Sequence, residues 1–152
     1  MSSTISRRQV LAIAAGAVTA AAAGGVPGSA WAANDSQDLI KKFTGGKAPA
    51  KGRIKLDLPE IAENGNAVPM TISVESPMTK ENYVSDVLVV AEANPRGGVA
   101  TFHFTPASGV AEANTRIRLA ETQNVIALAK MNDGSVYKAS QEVKVTIGGC
   151  GG

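Results

Sequence analysis

Cys150 is the residue of this sequence whose type and surroundings most clearly suggest chemistry. It is the sole cysteine, and it stands within Gly148-Gly149-Cys150-Gly151-Gly152. Glycines have no side chain and adopt many backbone conformations, so this segment resembles a flexible stalk. From the preceding residue, such a stalk carries the thiol at most about 10 Å. The pattern predicts a carrier arm: Cys150 attaches a substrate covalently, and the four glycines let the thiol enter narrow clefts of other proteins.

The same segment is poorly suited to be an active site. A catalytic thiol needs a fixed base or a neighbouring cation, held in rigid geometry. The nearest cation in the sequence is Lys144, six residues before Cys150. We therefore predict that the chain carries no catalytic residue and that partner enzymes activate the thiol.

Two other interpretations of the thiol stay open. Cys150 can join two copies, or attach the chain to a surface, through a disulfide, which would make the protein a structural subunit. Alternatively, folding can bring His103 near the thiol and create a redox thiol enzyme. Because His103 alternates with Phe102 and Phe104, however, the pattern favours a solvent-facing histidine.

Composition excludes several classes of function. The chain has 152 residues, with 15 Lys and Arg against 13 Asp and Glu. Two of the cations, Arg7 and Arg8, lie in a segment that contains no acid, so the remainder is close to neutral. A neutral chain is not typical of nucleic-acid binding. With one cysteine and one histidine, the sequence cannot form a Cys/His metal site, and we predict no metal and no other cofactor.

Residues 1–32 are predicted to be an export signal. Arg7 and Arg8 precede an alanine-rich run over residues 10–23, and Ala30-Trp31-Ala32 is typical of a cleavage site. The run is too short and too weakly apolar to span about 30 Å of hydrocarbon, which argues against a membrane anchor. Cleavage before Ala33 predicts a periplasmic protein.

The paired arginines resemble a twin-arginine signal, although the general secretory route also stays open. Twin-arginine export carries folded cargo. Proteins are exported in the folded state when they must first acquire a cofactor or a partner. Since the sequence offers no cofactor site, this route favours a folded partner that has no signal of its own.

The remaining chain is predicted to contain a short helix, a β domain and the arm. Residues 33–51 form the helix and a linker. The helix covers residues 34–43, with Asn34 or Ser36 as its cap and an apolar stripe of Leu39, Ile40 and Phe43. Residues 52–147 form the β domain, and residues 148–152 form the arm.

In the β domain, the apolar period changes to two. About seven short strands are separated by turns, which predicts an all-β fold, an immunoglobulin-like β-sandwich. Pro69 suggests that its strand lies at an edge. Asn132-Asp133-Gly134-Ser135 predicts a hairpin in which the glycine has a positive φ.

Two further groups have weaker functional signals. Arg116, Arg118 and Lys144 can form an anion-attracting face, although a solvated strand face is the simpler interpretation. The methionines of the β domain are expected to fill the core or an interface rather than to bind metal; they are Met70, Met78 and Met131.

The pentapeptide around Cys150, together with the signal and the all-β domain, resembles the SoxY family of periplasmic thiosulfate-oxidation systems. The resemblance covers the whole layout of the chain, and its specific part is the Gly-Gly-Cys-Gly-Gly motif, which matches without departure. It implies that Cys150 has the sulfur-carrier role and that the chain forms a heterodimer with SoxZ, a second β-sandwich subunit without a signal.

The resemblance also implies a set of partner enzymes. The c-type cytochrome SoxAX couples thiosulfate oxidatively to Cys150, and the hydrolase SoxB releases the terminal sulfonate as sulfate. The sulfane dehydrogenase SoxCD oxidises the sulfur that remains, and a second hydrolysis restores the thiol. Persulfides and related caps are accessible states of a cysteine.

Overall fold

A computed structural model describes residues 34–149 of the chain. The predicted signal over residues 1–32, Ala33, and Cys150, Gly151 and Gly152 lie outside the described residues. The described part contains one α-helix, one 3₁₀ turn (Pro106–Ser108) and nine strands. The elements are α1 (Ser36–Thr44), β1 (Ala50–Lys51), β2 (Ile54–Asp57), β3 (Ile61–Asn64), β4 (Val68–Val74), β5 (Val84–Ala91), β6 (Gly98–His103), β7 (Ala111–Ile117), β8 (Gln123–Met131) and β9 (Val136–Ile147).

The strands form two sheets, and the prediction of an all-β, immunoglobulin-like sandwich is confirmed. The larger sheet has the order β1-β9-β8-β5-β6, with β3 also paired to β9, and the smaller has the order β2-β4-β7. Sandwiches of this kind bury alternate residues of each strand between the sheets. In β4, the even-numbered residues Val68, Met70, Ile72 and Val74 are buried accordingly.

Two strands were not predicted from the sequence. β1 and β3 have two and four residues, too few for a clear alternation of apolar residues. Both run parallel to β9, the longest strand. β1 also lies inside the segment that was expected to be a linker. Their pairing depends on contacts with a strand about 80 residues later in the chain, which a local pattern does not encode.

The core between the sheets is made of aliphatic side chains. Val84, Val87 and Val89 of β5 are completely buried, as are Val125 of β8 and Val143 of β9. The methionines predicted to be filler are in this core as well: Met70, Met78 and Met131 are all buried. At about 25 cal/mol per Å² of apolar surface, burial of such side chains is the main stabilising contribution to the fold.

Helix α1 covers part of the outer face of the larger sheet. Its apolar stripe, Leu39, Ile40 and Phe43, packs on a second cluster in the sheet, as predicted. That cluster consists of Leu88, Val90, Ile126, Leu128 and Val136. The helix ends at Gly45, which has a φ of 62°. In the described residues no helix is both long and apolar enough to cross a membrane.

The start of α1 differs from the expected cap. Asp35 occupies the N-cap position, and Ser36 lies buried in the first turn. The Asp35 carboxylate accepts a hydrogen bond of 2.6 Å from the Gly97 amide instead of capping the helix. The Asn34 side-chain oxygen accepts one of 2.9 Å from the Ser36 amide. The helix start is therefore fastened to the loop that joins β5 to β6.

The position of Pro69 corrects one expectation. β4 is the central strand of the smaller sheet, between β2 and β7, rather than an edge strand. The proline is tolerated there because the register of β2 with β4 ends at Asp57↔Thr71. Pro69 therefore has a partner in β7, Arg116, and none in β2. Pro69 therefore has a strand on one side only, as a residue of an edge strand does.

Candidate functional site

Strand β9 leads directly to the segment that contains Cys150. Its pairing with β8 ends at Gln123↔Val143, and its last residues pair with β3 instead, up to Asn64↔Ile147. The Val145 amide donates a hydrogen bond of 2.9 Å to the Thr122 hydroxyl, on the side where β8 has ended. The end of β9 is thus held from both sides, immediately before the glycines.

Three main-chain hydrogen bonds continue this pairing beyond β9. The Gly65 amide donates to the Ile147 carbonyl at 2.8 Å, and the Leu119 amide donates to the Gly65 carbonyl at 2.8 Å. The Gly149 amide donates to the Leu119 carbonyl at 2.9 Å. We call Gly65, Leu119, Ile147 and Gly149 the arm-root clamp. It fixes the main chain up to the residue before Cys150.

Glycine is required in the clamp, and at Gly148 beside it, because main chains approach each other closely there. A Cβ atom on Gly148 would lie 2.1 Å from the Ala120 carbonyl oxygen. On Gly65 it would lie 2.2 Å from the Leu119 carbonyl oxygen, and on Gly149 it would lie 2.9 Å from the Gly65 carbonyl oxygen. These distances are shorter than van der Waals contact, so any side chain would displace the arm root.

The buried Asn94 side chain holds the loop that supplies the clamp with Leu119. Its amide nitrogen donates to the Arg118 carbonyl at 2.8 Å. Its oxygen accepts from the Ala120 amide and from the Gln123 side chain, both at 2.9 Å. Buried side-chain amides are stabilising only when they are paired in this way. Asn94 therefore fixes the main chain on both sides of Leu119.

The predicted arm residues are only partly described. Gly148 is exposed and Gly149 is buried at the clamp, whereas Cys150, Gly151 and Gly152 lie outside the described residues. The flexibility of Gly151 and Gly152 stays a prediction, whereas the amide of Gly149, which was also predicted to be flexible, is held by the Leu119 carbonyl. The structure gives another reason why Gly148 and Gly149 have no side chain: the Ala120 carbonyl lies against Gly148, and the Gly65 carbonyl lies against Gly149.

His103 is exposed and far from the arm root. Its side chain is 74% exposed, and Nδ1 lies 2.6 Å from the Asp86 carboxylate. The solvent-facing prediction is confirmed, but the partner was not predicted. Across the larger sheet, His103 at the end of β6 is level with Asp86 of β5, Lys130 of β8 and Val136. Val136 is the first residue of β9. The clamp begins at the last residue of β9, roughly 35 Å along the strand at about 3.3 Å per residue.

Three arginines line a cleft between the free edges of the two sheets. The cleft has a volume of about 390 Å³, and its lining includes Arg96, Arg116 and Arg118 together with Asn94 and Thr115. We call it the arginine cleft. Arg116 and Arg118 were predicted as part of a cationic face, whereas Arg96, in the turn before β6, was missed. Lys144 lies apart, in a cleft that also contains Glu60 and Glu142.

The described residues show no arrangement typical of a metal centre. Between residues 34 and 149, no three His, Cys, Asp or Glu side chains are grouped as metal ligands would be. Over the same range, the one contact within 4.0 Å between a basic and an acidic side chain joins His103 to Asp86.

Comparison with known proteins identifies one family. A model of the family described as "Sulfur oxidation protein SoxY" matches residues 40–150, a range that includes Cys150. Among solved structures, the sulfur carrier protein SoxY from Chlorobium limicola f thiosulfatophilum is 34% identical, with a TM-score of 0.59. The match covers 73% of this chain and 96% of that one. No curated protein sequence shows significant similarity to the chain.

More distant structures share the fold alone. A superoxide reductase (neelaredoxin) from Ignicoccus hospitalis has a TM-score of 0.56 at 17% identity, covering 62% of this chain and 80% of that one. A putative superoxide reductase from Thermotoga maritima has a TM-score of 0.52 at 19% identity, covering 68% and 89%. At such identities, function does not follow from fold.

Proposed function

The chain belongs to the SoxY family, and we propose that it carries thiosulfate-derived sulfur covalently on Cys150 and presents it to partner enzymes in the periplasm. The observation that carries this proposal is the family match through residue 150, which places the sole cysteine of the chain within the matched range. The similarity to the sulfur carrier protein SoxY from Chlorobium limicola f thiosulfatophilum, which covers 96% of that chain, supports the same role.

The arm-root clamp gives the carrier a defined base. Hydrogen bonds at Ile147 and Gly149 hold the main chain up to the residue before Cys150. One trans peptide separates neighbouring Cα atoms by about 3.8 Å. The main chain is therefore held at Gly149, at one end of the sandwich, and partner enzymes would dock at this end to reach the thiol.

The proposed chemistry begins with oxidative coupling. Cys150 loses its thiol proton, and its sulfur bonds to the outer sulfur of thiosulfate, giving a cysteine S-thiosulfonate. Two electrons leave, and the c-type cytochrome SoxAX accepts them. Water then cleaves the sulfur–sulfonate bond on SoxB, which releases sulfate and leaves a persulfide on Cys150.

Later steps return the carrier to its starting state. SoxCD removes six electrons from the outer sulfur of the persulfide and passes them to a cytochrome acceptor, while three water molecules supply the oxygens of the resulting sulfonate and release six protons. A second hydrolysis then cleaves the sulfur–sulfonate bond, releases sulfate and restores the thiol. Throughout, Cys150 provides the attachment and the partner enzymes provide the catalytic groups, so we propose that this chain is not itself an enzyme.

The proposal includes export and a partner subunit. Residues 1–32 would direct the chain to the periplasm, by the twin-arginine route, and be removed before Ala33. A folded SoxZ subunit, lacking a signal, would cross with it as a heterodimer. The match to a SoxY protein supports the presence of Sox partners in general terms.

Substitution of the thiol tests this function. Cys150→Ser should abolish thiosulfate-dependent electron transfer in a mixture with SoxZ and the Sox enzymes, while the thermal unfolding transition stays unchanged. His103→Ala is the matched control, because His103 lies on β6, level with the end of β9 that is opposite to the arm root. It should retain full turnover. Turnover by the Cys150→Ser variant would refute the carrier role, and loss of turnover in His103→Ala would favour a thiol enzyme that uses the histidine.

A further inference from the structure

The arginine cleft is a concentration of positive charge. Arg96, Arg116 and Arg118 are exposed side chains around one opening, and no acidic residue contributes to its lining. Within residues 34–149, no carboxylate lies within 4.0 Å of these guanidinium groups. Of the other described clefts, the one beside Lys144 contains two glutamates, and the one beside Arg53 contains Glu75. The cleft lined by Lys51 and Lys138 also has no acid, but it has two cations rather than three. The arginine cleft is therefore suited to an anion.

The cleft is also close to the arm root. The Gly149 nitrogen lies 2.9 Å from the Leu119 carbonyl oxygen. Adding the bond lengths from that oxygen to the Arg118 Cα shows that this Cα lies within about 10 Å of the Gly149 nitrogen. Asn94 strengthens the link, since it lines the cleft and its amide holds the Arg118 carbonyl at 2.8 Å. The last described residue before Cys150 and the lining of the cleft are therefore joined through Leu119 and Asn94.

We propose that the arginine cleft is an anion subsite of the carrier, which holds the terminal sulfonate of the cargo on Cys150 between visits to partner enzymes. This inference rests on the proposed function for the identity of the cargo. The chemistry that the cleft recognises is that of a tetrahedral sulfur oxoanion. Arginine suits such a group because its planar guanidinium donates paired hydrogen bonds to neighbouring oxygens.

The arginine cleft must bind the sulfonate weakly, because the cargo has to be released to partner enzymes. Exposed charge pairs contribute little and are screened by salt, so free sulfate should bind only in the millimolar range. A short covalent tether supplies an effective concentration that is also about millimolar. The tethered sulfonate should then occupy the cleft about half of the time. It is protected for part of each cycle and is released readily to an enzyme.

The test compares two cargoes that differ in charge. Tetrathionate converts the Cys150 thiolate into the S-thiosulfonate and releases thiosulfate, without any Sox enzyme. Methyl methanethiosulfonate converts it into a neutral methyl disulfide and releases methanesulfinate. Both forms of the full chain are titrated with inorganic sulfate while NMR records the side-chain Nε–Hε signals of the arginines.

We expect sulfate to shift the signals of Arg96, Arg116 and Arg118 in the neutral form. In the thiosulfonate form, the signals should already be shifted before sulfate is added. The apparent dissociation constant for sulfate should be about two-fold higher, because the tethered anion competes for the site. High salt should remove the shift. The double variant Arg116→Gln, Arg118→Gln should lose these effects, and the control Lys144→Gln, outside the cleft, should keep them.

Three results would overturn the proposal. Equal sulfate affinity in both forms would make the cleft a site for free anions only. The absence of any arginine response would mean that no anion binds there. Signals that move only when SoxZ is added would make the cleft a protein interface. Because tetrathionate loads Cys150 chemically, each of these results is distinguishable from a failure of Cys150 to accept thiosulfate from the Sox enzymes.

Discussion

The two ends of β9 both depend on glycine, for different physical reasons. Before β9, Gly134 has a φ of 82°, and a Cβ atom there would meet only the side-chain nitrogen of Lys47, at 3.5 Å. After β9, Gly148 does not have a left-handed backbone, but its Cβ would lie 2.1 Å from the Ala120 carbonyl oxygen. The first glycine is required by its own conformation and the second by a neighbouring main chain.

The turn before β9 depends on local interactions, whereas the clamp after β9 depends on tertiary ones. The turn before β9 is completed by residues next to each other in sequence: the Gly134 amide donates to the Met131 carbonyl at 3.0 Å, and Asp133 accepts from the Ser135 amide at 2.8 Å. The clamp after β9 joins Gly65, Leu119 and Gly149, which are far apart in sequence. Substitutions at the two ends should therefore differ in size and in kind.

The largest effect is expected at the arm root. Gly148→Val would place a branched side chain against the Ala120 carbonyl, and overpacking of this kind costs about 1–3 kcal/mol. The free energy of unfolding in urea should fall by about that amount. The Gly149 amide should lose protection from hydrogen exchange, because its bond to the Leu119 carbonyl cannot survive the shift. An unchanged stability with a protected Gly149 amide would contradict the close approach.

A smaller effect is expected in the hairpin. Gly134→Ala keeps enough space for the methyl group but places an L side chain at positive φ, which costs about 1–2 kcal/mol. The urea unfolding free energy measures this loss. Gly134→Asn should recover most of it, because asparagine tolerates the left-handed region. Equal destabilisation by both substitutions would indicate that space, rather than backbone conformation, selects glycine here.

The smallest effect is expected in the pH dependence of stability, through Asp133. Hydrogen bonds from the Ser135 hydroxyl and the Ser135 amide lower the pKa of Asp133 from its ordinary value of 3.8. Because the folded-state pKa lies below the unfolded one, this contribution to stability is present above pH 3.8 and is lost as the pH falls through the folded-state value. Asp133→Asn should make the unfolding free energy slightly less sensitive to pH between about 2 and 5. An equal acid sensitivity of both proteins would show that Asp133 does not contribute.

The same contrast explains what the sequence could predict. The hairpin was predicted because Asn-Asp-Gly-Ser carries its own turn chemistry, and the stripe of α1 was predicted because its apolar period is local. The sandwich followed from alternation along the longer strands. β1 and β3 were missed because parallel pairing to β9 leaves no pattern in two to four residues.

For the candidate site, sequence reasoning proposed the thiol of Cys150 and missed the residues that hold the main chain before it. Cys150 is conspicuous because it is the sole cysteine and lies among glycines. Gly65, Leu119 and Asn94 are ordinary residues in loops, and their roles arise from carbonyl and amide groups that every residue possesses. Arg96 was missed because it lies in a turn and joins Arg116 and Arg118 only when the edges of the two sheets come together.

Intact-mass spectrometry of the full chain, incubated with thiosulfate, SoxZ and SoxAX, tests the central claim most directly. The account predicts a monomer of this chain whose mass has increased by one S₂O₃ unit, with the addition located on Cys150 by peptide mapping and removed by SoxB to leave one extra sulfur. A disulfide-linked dimer as the sole product, or a chain whose mass stays unchanged while SoxAX passes electrons from thiosulfate, would contradict it.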